Sequence, residues 1–369
     1  METVNDTVKD VVNETDIDAV KETDASAKPD GETQILMQVE DLTKFFPIRK
    51  GFFNRVHREV RAVDNVNFSI NRGETVGLVG ESGCGKSTIG YCLVRLYEPT
   101  SGKILFYQDV GEEPIDLAHA DGKILRKARG DIQMIFQDPY SSLNPRMTAR
   151  QCISEPMIIH KRERGSALED RVAYLMEKVG LSPDYMNRYP HAFSGGQRQR
   201  IGIARALALN PRLMICDEAV SSLDVSVQAQ ILELLEELKP EFGMSYLFVA
   251  HDLSTVKYIS DRVVVMYVGK IIETGLTEEI YNNPKHPYTE ALLASVPKLK
   301  ADKSERKATL LGEVPDPANP PPGCYFHPRC VYAIDECKEW THDLLPSDSP
   351  THFHSCLRAD ELKLKGVEY

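Results

Sequence analysis

Apolar residues fall into two kinds of pattern along the chain, and each predicts a type of element. Alternating apolar and polar residues predict strands at 36–42 and 60–70, which together suggest an antiparallel sheet. Largely apolar runs are typical of strands buried on both faces. Such runs occur at 76–79, 132–136, 211–218 and 246–250. Buried strands separated by helical segments indicate an α/β fold.

Helical spacing dominates residues 140–206. One apolar stripe there consists of Leu168, Val172, Leu175, Met176 and Val179. Its spacing predicts a helix that packs one face into a core. Ser166 and Glu169 predict a capping box at the start of this helix, and Gly180 predicts its end.

The 369 residues have the apolar and charged fractions of a soluble globular protein. At about 150 residues per domain, this length suggests two or three domains. No run approaches the ~18 apolar residues of a membrane span. The N-terminus lacks the basic start and apolar core of a secretory signal, so we expect a cytosolic protein.

The net charge of −11 is unevenly spread along the chain. Residues 1–35 contain ten acidic and three basic residues, so most of the excess negative charge lies there. Because residues 1–33 are also polar and lack aromatic side chains, we expect a disordered acidic tail. The remainder is only weakly acidic, which argues against a basic domain for nucleic acid.

One loop, between an apolar strand and a helical stretch, matches every position of the pattern G-x-x-x-x-G-K-S. Its residues are Gly80, Glu81, Ser82, Gly83, Cys84, Gly85, Lys86, Ser87 and Thr88. Such a loop turns backbone N–H groups inward at a helix N-terminus and so makes a site for phosphate. Lys86 can reach the β- and γ-phosphates of a nucleotide, and Ser87 can ligate Mg²⁺.

Polar residues follow other buried strands, at the position where ligands of open α/β sheets bind. Asp217 suits the shell of a metal ion and Glu218 suits the activation of water. His251 and Gln137 end two further strands. Taken singly, His251 is better explained as a structural histidine and Gln137 as a surface residue.

A second helix start with two glycines, FSGGQ at 193–197, fits either an anion site or an ordinary N-cap. Taken together and in order, these motifs resemble the ATPase subunit of ABC transporters over residues 36–285. The resemblance implies an α/β, ABC-type P-loop ATPase with a RecA-like core, an antiparallel β subdomain and a helical subdomain at about 140–206. It divides the chain into a tail, 1–33, an ABC ATPase domain, 34–285, and a small cysteine-containing C-terminal extension, 286–369.

The resemblance also assigns roles to residues, with Gly80 to Thr88 as the Walker A loop that holds ATP. The catalytic residues are the Q-loop glutamine, the carboxylate after Walker B and the switch histidine: Gln137, Glu218 and His251. The Mg²⁺ ligands are Ser87, Gln137 and Asp217. Phe46 matches the aromatic residue that stacks on adenine. Ala219 departs from the family, in which many members have proline, and we expect a local backbone change there rather than lost activity.

ATPases of this family form head-to-tail pairs with two ATP molecules at the interface. The signature and D-loop of this chain would therefore bind the ATP of a partner, through Ser194, Gly195, Gly196, Gln197 and Asp224. ATP favours the closed pair because its γ-phosphate contacts both halves, and hydrolysis releases it. We expect an isolated monomer to bind ATP and hydrolyse it poorly.

Three further segments narrow the resemblance to the oligopeptide/dipeptide importer branch: DIQMIFQDP with SLNPRM at 131–147, RYPH at 188–191 and HPYT at 286–289. The string FSGGQRQR is similar to the F-type subunit, whose usual partner is a paralogous ATPase. This implies a peripheral protein at the cytoplasmic face of the cell membrane. There it would energise peptide import with two permease subunits and an extracytoplasmic solute-binding protein.

Two alternatives stay open: an importer ATPase for another solute, such as nickel, glutathione or sugars, and a non-transport ABC ATPase. Against the second, a chromosome-maintenance ATPase normally separates Walker A from the signature by a long coiled coil. No sustained heptads lie between residues 88 and 194.

Eight cysteines in a cytosolic chain argue against a disulfide framework. Four of them, Cys324, Cys330, Cys337 and Cys356, have the spacing C-x5-C-x6-C-x18-C. This spacing lacks the tight pair of most zinc sites. The resemblance favours a [4Fe–4S] cluster at these cysteines, with Zn²⁺ or four buried thiols as alternatives.

Overall fold

The computed structural model describes residues 34–50, 55–295, 310 and 312–367. The predicted disordered tail, 1–33, lies outside the described residues. The strands are β1 (Ile35–Lys50), β2 (Arg55–Asn71), β3 (Thr75–Val79), β4 (Ser101–Phe106), β5 (Ile115–Asp116), β6 (Ile132–Ile135), β7 (Leu213–Asp217), β8 (Ser245–Ala250), β9 (Arg262–Tyr267), β10 (Lys270–Leu276), β11 (Leu345–Pro346) and β12 (Phe353–His354). The helices are α1 (Lys86–Leu93), α2 (Gly122–Asp131), α3 (Pro139–Ser142), α4 (Ala149–Ile159), α5 (Ser166–Lys178), α6 (Gly195–Leu207), α7 (Val225–Phe242), α8 (Leu253–Ile259), α9 (Thr277–Asn282) and α10 (Pro287–Ala294).

The main sheet has the strand order β11-β12-β10-β9-β3-β8-β7-β6. Its strands β9, β3, β8, β7 and β6 run parallel. Every residue of β3, β7 and β8 is buried, which is the physical reason for the apolar runs in the sequence. Because parallel strands end at one edge, the loops that follow β3, β6, β7 and β8 meet there.

A second, antiparallel sheet has the order β2-β1-β4-β5. Strand β1 pairs with β2 from Ile35 opposite Asn71 onwards, which confirms the antiparallel sheet predicted ahead of the phosphate loop. Met37 and Val39 are buried and share one core with Ile89 of α1. The sheet therefore packs against the helix that carries the phosphate loop.

Helices α3 to α6 occupy the span that the sequence predicts to be helical. Val172, Leu175 and Met176 of α5 are fully buried, in one core with Ile153 of α4 and Ile201 of α6. The predicted apolar stripe therefore faces the helical core. No helix in the described part of the chain is both long and apolar enough to cross a membrane.

The predicted capping box of Ser166 and Glu169 is wrong. Helix α5 already begins at Ser166, and its N-cap is Gly165, which has a φ of 62° and makes no side-chain cap hydrogen bond. Glu169 instead pairs with Arg150 of α4. The glycine supplies the left-handed turn before the helix, and the opposite charge on α4 draws the carboxylate away from the helix start.

The C-terminal residues extend the main sheet. Strands β9 and β10 form an antiparallel hairpin, and β12 pairs with β10 so that His354 lies opposite Glu273. The buried Glu273 carboxylate interacts with His352 Nε2 at 2.8 Å and accepts the backbone N–H of His286 at 3.0 Å. A buried carboxylate needs such partners, so these contacts tie the end of the chain to the sheet edge.

Leu175→Ala tests the helical core. Because Leu175 is fully buried, the cavity left by its side chain should lower the free energy of unfolding by about 2–5 kcal/mol. The measurement is denaturant unfolding of the full chain. Leu96→Ala is the matched control, since Leu96 is 55% exposed. Equal losses for the two variants would contradict the packing described.

Candidate nucleotide site

The phosphate loop and four candidate polar residues lie at one edge of the main sheet. The loop follows β3, Gln137 follows β6, Asp217 and Glu218 lie at the end of β7, and His251 follows β8. The loop, Gln137, Glu218 and His251 border a cleft of about 400 Å³, and Asp217 is bonded to its lining residue Ser87. Its lining residues are Val60, Ala62, Ser82, Gly83, Gly85, Lys86, Ser87, Thr88, Gln137, Glu218, His251 and Pro317.

Two glycines let the loop pass close to neighbouring backbone. Gly85 has a φ of 112°, and a Cβ there would lie 2.0 Å from the carbonyl oxygen of Ala62. A Cβ on Gly80 would lie 2.2 Å from the carbonyl oxygen of Met266. Both distances are far below van der Waals contact, so the loop keeps this path only with glycine at these positions.

Lys86 and Ser87 open helix α1 beside the loop. The buried Lys86 ammonium donates to the carbonyl oxygens of Gly80, at 2.8 Å, and Glu81, at 3.0 Å. Ser87 Oγ donates to Asp217 Oδ1 at 2.8 Å. This last bond joins the phosphate loop to the end of β7, two strands away in the sheet.

The residues predicted to hold Mg²⁺ fit that ion by chemistry. Asp217 is fully buried, and burial raises the pKa of its carboxyl group, against the effect of the Ser87 hydrogen bond. Asp217 Oδ2 has no hydrogen-bond partner among the described residues. Buried polar atoms are normally paired, and a hard cation with oxygen ligands from Asp217, Ser87 and Gln137 would pair this one.

The Glu218 side chain contacts two other residues that line the cleft, Gln137 and His251. Gln137 Nε2 donates to Glu218 Oε2 at 2.6 Å, and His251 Nδ1 lies 3.6 Å from the same oxygen. Glu218 has a φ of 47°, in the left-handed region that non-glycine residues rarely adopt. Its backbone N–H donates to Val249 O at 2.9 Å, and Ser221 N–H and Oγ donate to its carbonyl oxygen. These bonds hold a strained backbone that aims the carboxylate at the cleft.

The signature residues do not line this cleft. Ser194 caps α6 in a full capping box, in which Gln197 N–H donates to Ser194 Oγ and Ser194 N–H donates to Gln197 Oε1. A Cβ on Gly196 would lie 2.6 Å from the side chain of Val227 in α7. Asp224 is the N-cap residue of α7. The N-cap interpretation of this helix start is therefore confirmed, and the anion site for a partner's nucleotide stays a prediction.

Phe46 is not among the residues that line the cleft. Its ring packs edge-on against Tyr97, with centroids 5.3 Å apart, and Lys44 Nζ lies 4.9 Å from the ring centroid. Its cross-strand neighbour Val60 lines the cleft instead. Adenine stacking on Phe46 stays a prediction.

Pro317 is a lining residue that the motifs did not indicate. It belongs to the C-terminal extension, and its carbonyl oxygen accepts the Arg61 N–H at 3.1 Å. No motif could have found it, because this contact joins residues from opposite ends of the described chain. The only signal was the proline-rich composition of 315–322.

The four cysteines of the extension line one cavity together. All are free thiols, and burial raises the pKa of Cys324 to about 11 and that of Cys356 to about 12. Within the described ranges, no group of three or more His, Cys, Asp or Glu side chains is arranged to hold a metal ion. Four cysteine thiols are the type of ligand that an iron–sulfur cluster needs. Their side chains, however, are not in a ligating arrangement.

Two family profiles match the chain. One, described as ABC transporter, covers residues 63–221, and the other, described as the C-terminal region of oligopeptide/dipeptide transporters, covers residues 272–337.

Characterised relatives match over most of their length. The chain is 51% identical to the oligopeptide transport ATP-binding protein AppF of Bacillus subtilis, over 88% of this chain and 97% of that protein. It is 48% identical to OppF of Salmonella typhimurium, over 90% and 98%. It is 47% identical to the dipeptide transport ATP-binding protein DppF of Haemophilus influenzae, over 84% and 92%.

Solved structures show the same fold. The ATP-binding cassette MJ0796, as a post-hydrolysis dimer bound to ADP and phosphate, superposes with a TM-score of 0.57 at 29% identity, over 65% of this chain and 98% of that one. CbiO1 from Clostridium perfringens, part of an ABC transporter complex, gives 0.56 at 28% identity, over 67% and 91%.

Fold and cleft together define an ABC-type ATPase, which uses ATP with Mg²⁺. With the relatives just described, the chain belongs to the family of ATP-binding subunits of oligopeptide and dipeptide ABC transporters.

Gly85→Ala tests the path of the phosphate loop. A φ of 112° and the contact with Ala62 should together cost the folded protein at least about 1–3 kcal/mol and displace the loop from the phosphates. We expect lower thermal stability and strongly reduced ATP binding, measured by calorimetry. Gly122→Ala is the control, because a Cβ there meets nothing within 4 Å. Normal ATP binding by Gly85→Ala would contradict the geometry described.

Proposed function

We propose that the chain is the ATP-hydrolysing subunit of an importer and that it energises uptake of oligopeptides or dipeptides through membrane permease subunits. The peptide cargo is supported by the match to the C-terminal region of oligopeptide/dipeptide transporters and by the names of the relatives. The observation that carries the hydrolytic role is the position of Glu218 Oε2, which contacts both Gln137 and His251 at the cleft.

The chemistry follows from the charges at the cleft. Transfer of the γ-phosphoryl group to water needs a positioned nucleophile and stabilisation of charge on the phosphate oxygens. The loop N–H groups and Lys86 supply the stabilisation. Glu218 accepts the proton of the attacking water, while Gln137 and His251 orient its carboxylate. Ser87, Asp217 and Gln137 would hold Mg²⁺ through their oxygen atoms, and the ion would supply further positive charge.

We further propose a head-to-tail heterodimer with a paralogous ATPase. Support comes from the signature, which lies outside the lining of the chain's own cleft, and from the dimeric state of the solved relative. The residues that would complete the partner's ATP site are Ser194, Gly195, Gly196, Gln197 and Asp224. The pair would bind two permease subunits at the cytoplasmic face of the membrane, and an extracytoplasmic solute-binding protein would deliver the peptide.

Glu218→Gln in the assembled transporter tests the hydrolytic role. The amide keeps the shape of the side chain but cannot accept the proton, so ATP binding should persist while turnover and uptake of labelled peptide fall by about a hundredfold or more. Glu233→Gln, on the exposed face of α7, is the control. Near-normal ATPase rates in Glu218→Gln would overturn the assignment. Wild-type ATPase activity stimulated by nickel, glutathione or sugar, but not by peptide, would overturn the cargo.

We also propose that the four-cysteine cavity holds a [4Fe–4S] cluster. Support comes from the convergence of Cys324, Cys330, Cys337 and Cys356 on one cavity. Because burial raises the pKa of Cys324 and Cys356, cluster uptake would release protons and draw the sulfur atoms together.

Anaerobically purified protein should then be brown, with about four iron and four sulfide per chain, and Cys337→Ser should lose both colour and iron. Cys152→Ser is the control, since Cys152 is buried in the helical core. A colourless protein that holds one zinc ion, or no metal, would contradict the cluster.

A further inference from the structure

An ion pair links the C-terminal extension to the phosphate loop. Arg329 Nη1 donates to Glu81 Oε2 at 2.7 Å, and Arg329 Nη2 donates to Glu81 Oε1 at 3.1 Å. The Arg329 side chain is 4% exposed and that of Glu81 is 23% exposed. A two-pronged, largely buried pair of this kind is stronger and better defined than a surface ion pair.

Glu81 is held at its backbone as well as at its side chain. Its N–H donates to the hydroxyl of Tyr288 in α10 at 2.8 Å, and its carbonyl oxygen accepts from Lys86 Nζ at 3.0 Å. Arg329 Nη1 also donates to the hydroxyl of Tyr267 at 3.3 Å. The Tyr267 and Tyr288 rings pack with centroids 4.6 Å apart. The phosphate loop is therefore held by contacts with β9, with α10 and with the part of the C-terminal extension that contains Arg329.

The charge on Glu81 is unfavourable for the function of this loop. Glu81 belongs to the loop that would hold the triphosphate, and its carbonyl oxygen already contacts the Lys86 ammonium, so its carboxylate would repel the like charge of the phosphates. Arg329 cancels this charge and holds the carboxylate on the side of the loop that faces the extension. Arg329 lies far along the chain from the nucleotide-binding motifs and is not among the residues that line the cleft.

We propose that Arg329 is a positioning residue for ATP binding, which neutralises Glu81 and holds the phosphate loop in its binding conformation. The inference rests on the proposed function only in that this loop binds MgATP. The C-terminal extension is then part of the nucleotide site, not an appendage to the ATPase domain.

The test is a double-mutant cycle on the full chain, with MgATP affinity measured by calorimetry and thermal stability measured in parallel. Arg329→Met should weaken MgATP binding roughly tenfold or more, because it leaves an uncompensated carboxylate in the loop. Glu81→Gln alone should tighten binding, and the double variant should bind more tightly than Arg329→Met. A purely structural role predicts weaker binding in both single variants and no recovery in the double variant.

Arg212→Met is the matched control. Arg212 pairs with Asp109 at 3.0 Å, on the surface and at the start of β7, the opposite edge of the sheet from the cleft. Its loss should leave MgATP affinity unchanged.

Unchanged affinity in Arg329→Met, or weaker binding in Glu81→Gln, would overturn the inference. If Arg329→Met does not fold, Arg329→Lys keeps the charge and loses the two-pronged geometry, so a smaller loss of affinity is expected. Whether Glu81→Gln tightens or weakens MgATP binding then decides between the positioning role and a purely structural role. A wild-type chain that fails to bind MgATP would sink the proposed function itself, whereas binding without any effect of Arg329 would sink only this inference.

Discussion

The common edge of four parallel strands is the constraint on which the rest of the structure depends. Strands β3, β8, β7 and β6 run in one direction, so the phosphate loop, His251, Glu218 and Gln137 emerge side by side although they are far apart in the chain. The hydrogen bond from Ser87 to Asp217 fixes this arrangement across the sheet. It joins the element that holds phosphate to the element that carries the carboxylates.

A buried carboxyl group and a strained backbone lie next to each other at this edge of the sheet. Asp217 is fully buried and has an unpaired oxygen among the described residues, while Glu218 has a left-handed backbone. Both features lower the stability of the chain alone, and under the proposed function both carboxyl groups would lie beside the Mg²⁺ ion and the attacking water. The positions that lower stability are thus the ones to which the proposed chemistry assigns a role.

The N-termini of helices α1 and α6 lie in different places relative to the cleft. Helix α1 begins inside the cleft, whereas α6 begins at Ser194, outside the cleft lining, with its cap satisfied by Gln197. Under the proposed head-to-tail pairing, the ATP of the partner would approach α6 at this helix start.

Much of this molecule could be predicted from the order of its residues alone. Apolar runs indicated the buried strands, since a strand covered on both faces must be apolar throughout. The G-x-x-x-x-G-K-S loop and the polar residues after the strands indicated the cleft, because parallel strands share an edge. Local charge was less informative, as Glu169 shows: it suits a capping box by spacing, but pairs with Arg150 on another helix.

Only the tertiary structure decided which distant residues meet. Pro317 at the cleft wall, Arg329 against Glu81, and Val60 in the cleft lining all depend on how the extension and the antiparallel sheet pack around the loop. Sequence patterns report the periodicity of one element at a time. The contacts between elements depend on packing in three dimensions, so residues without a motif can complete a site whose chemistry the sequence had already determined.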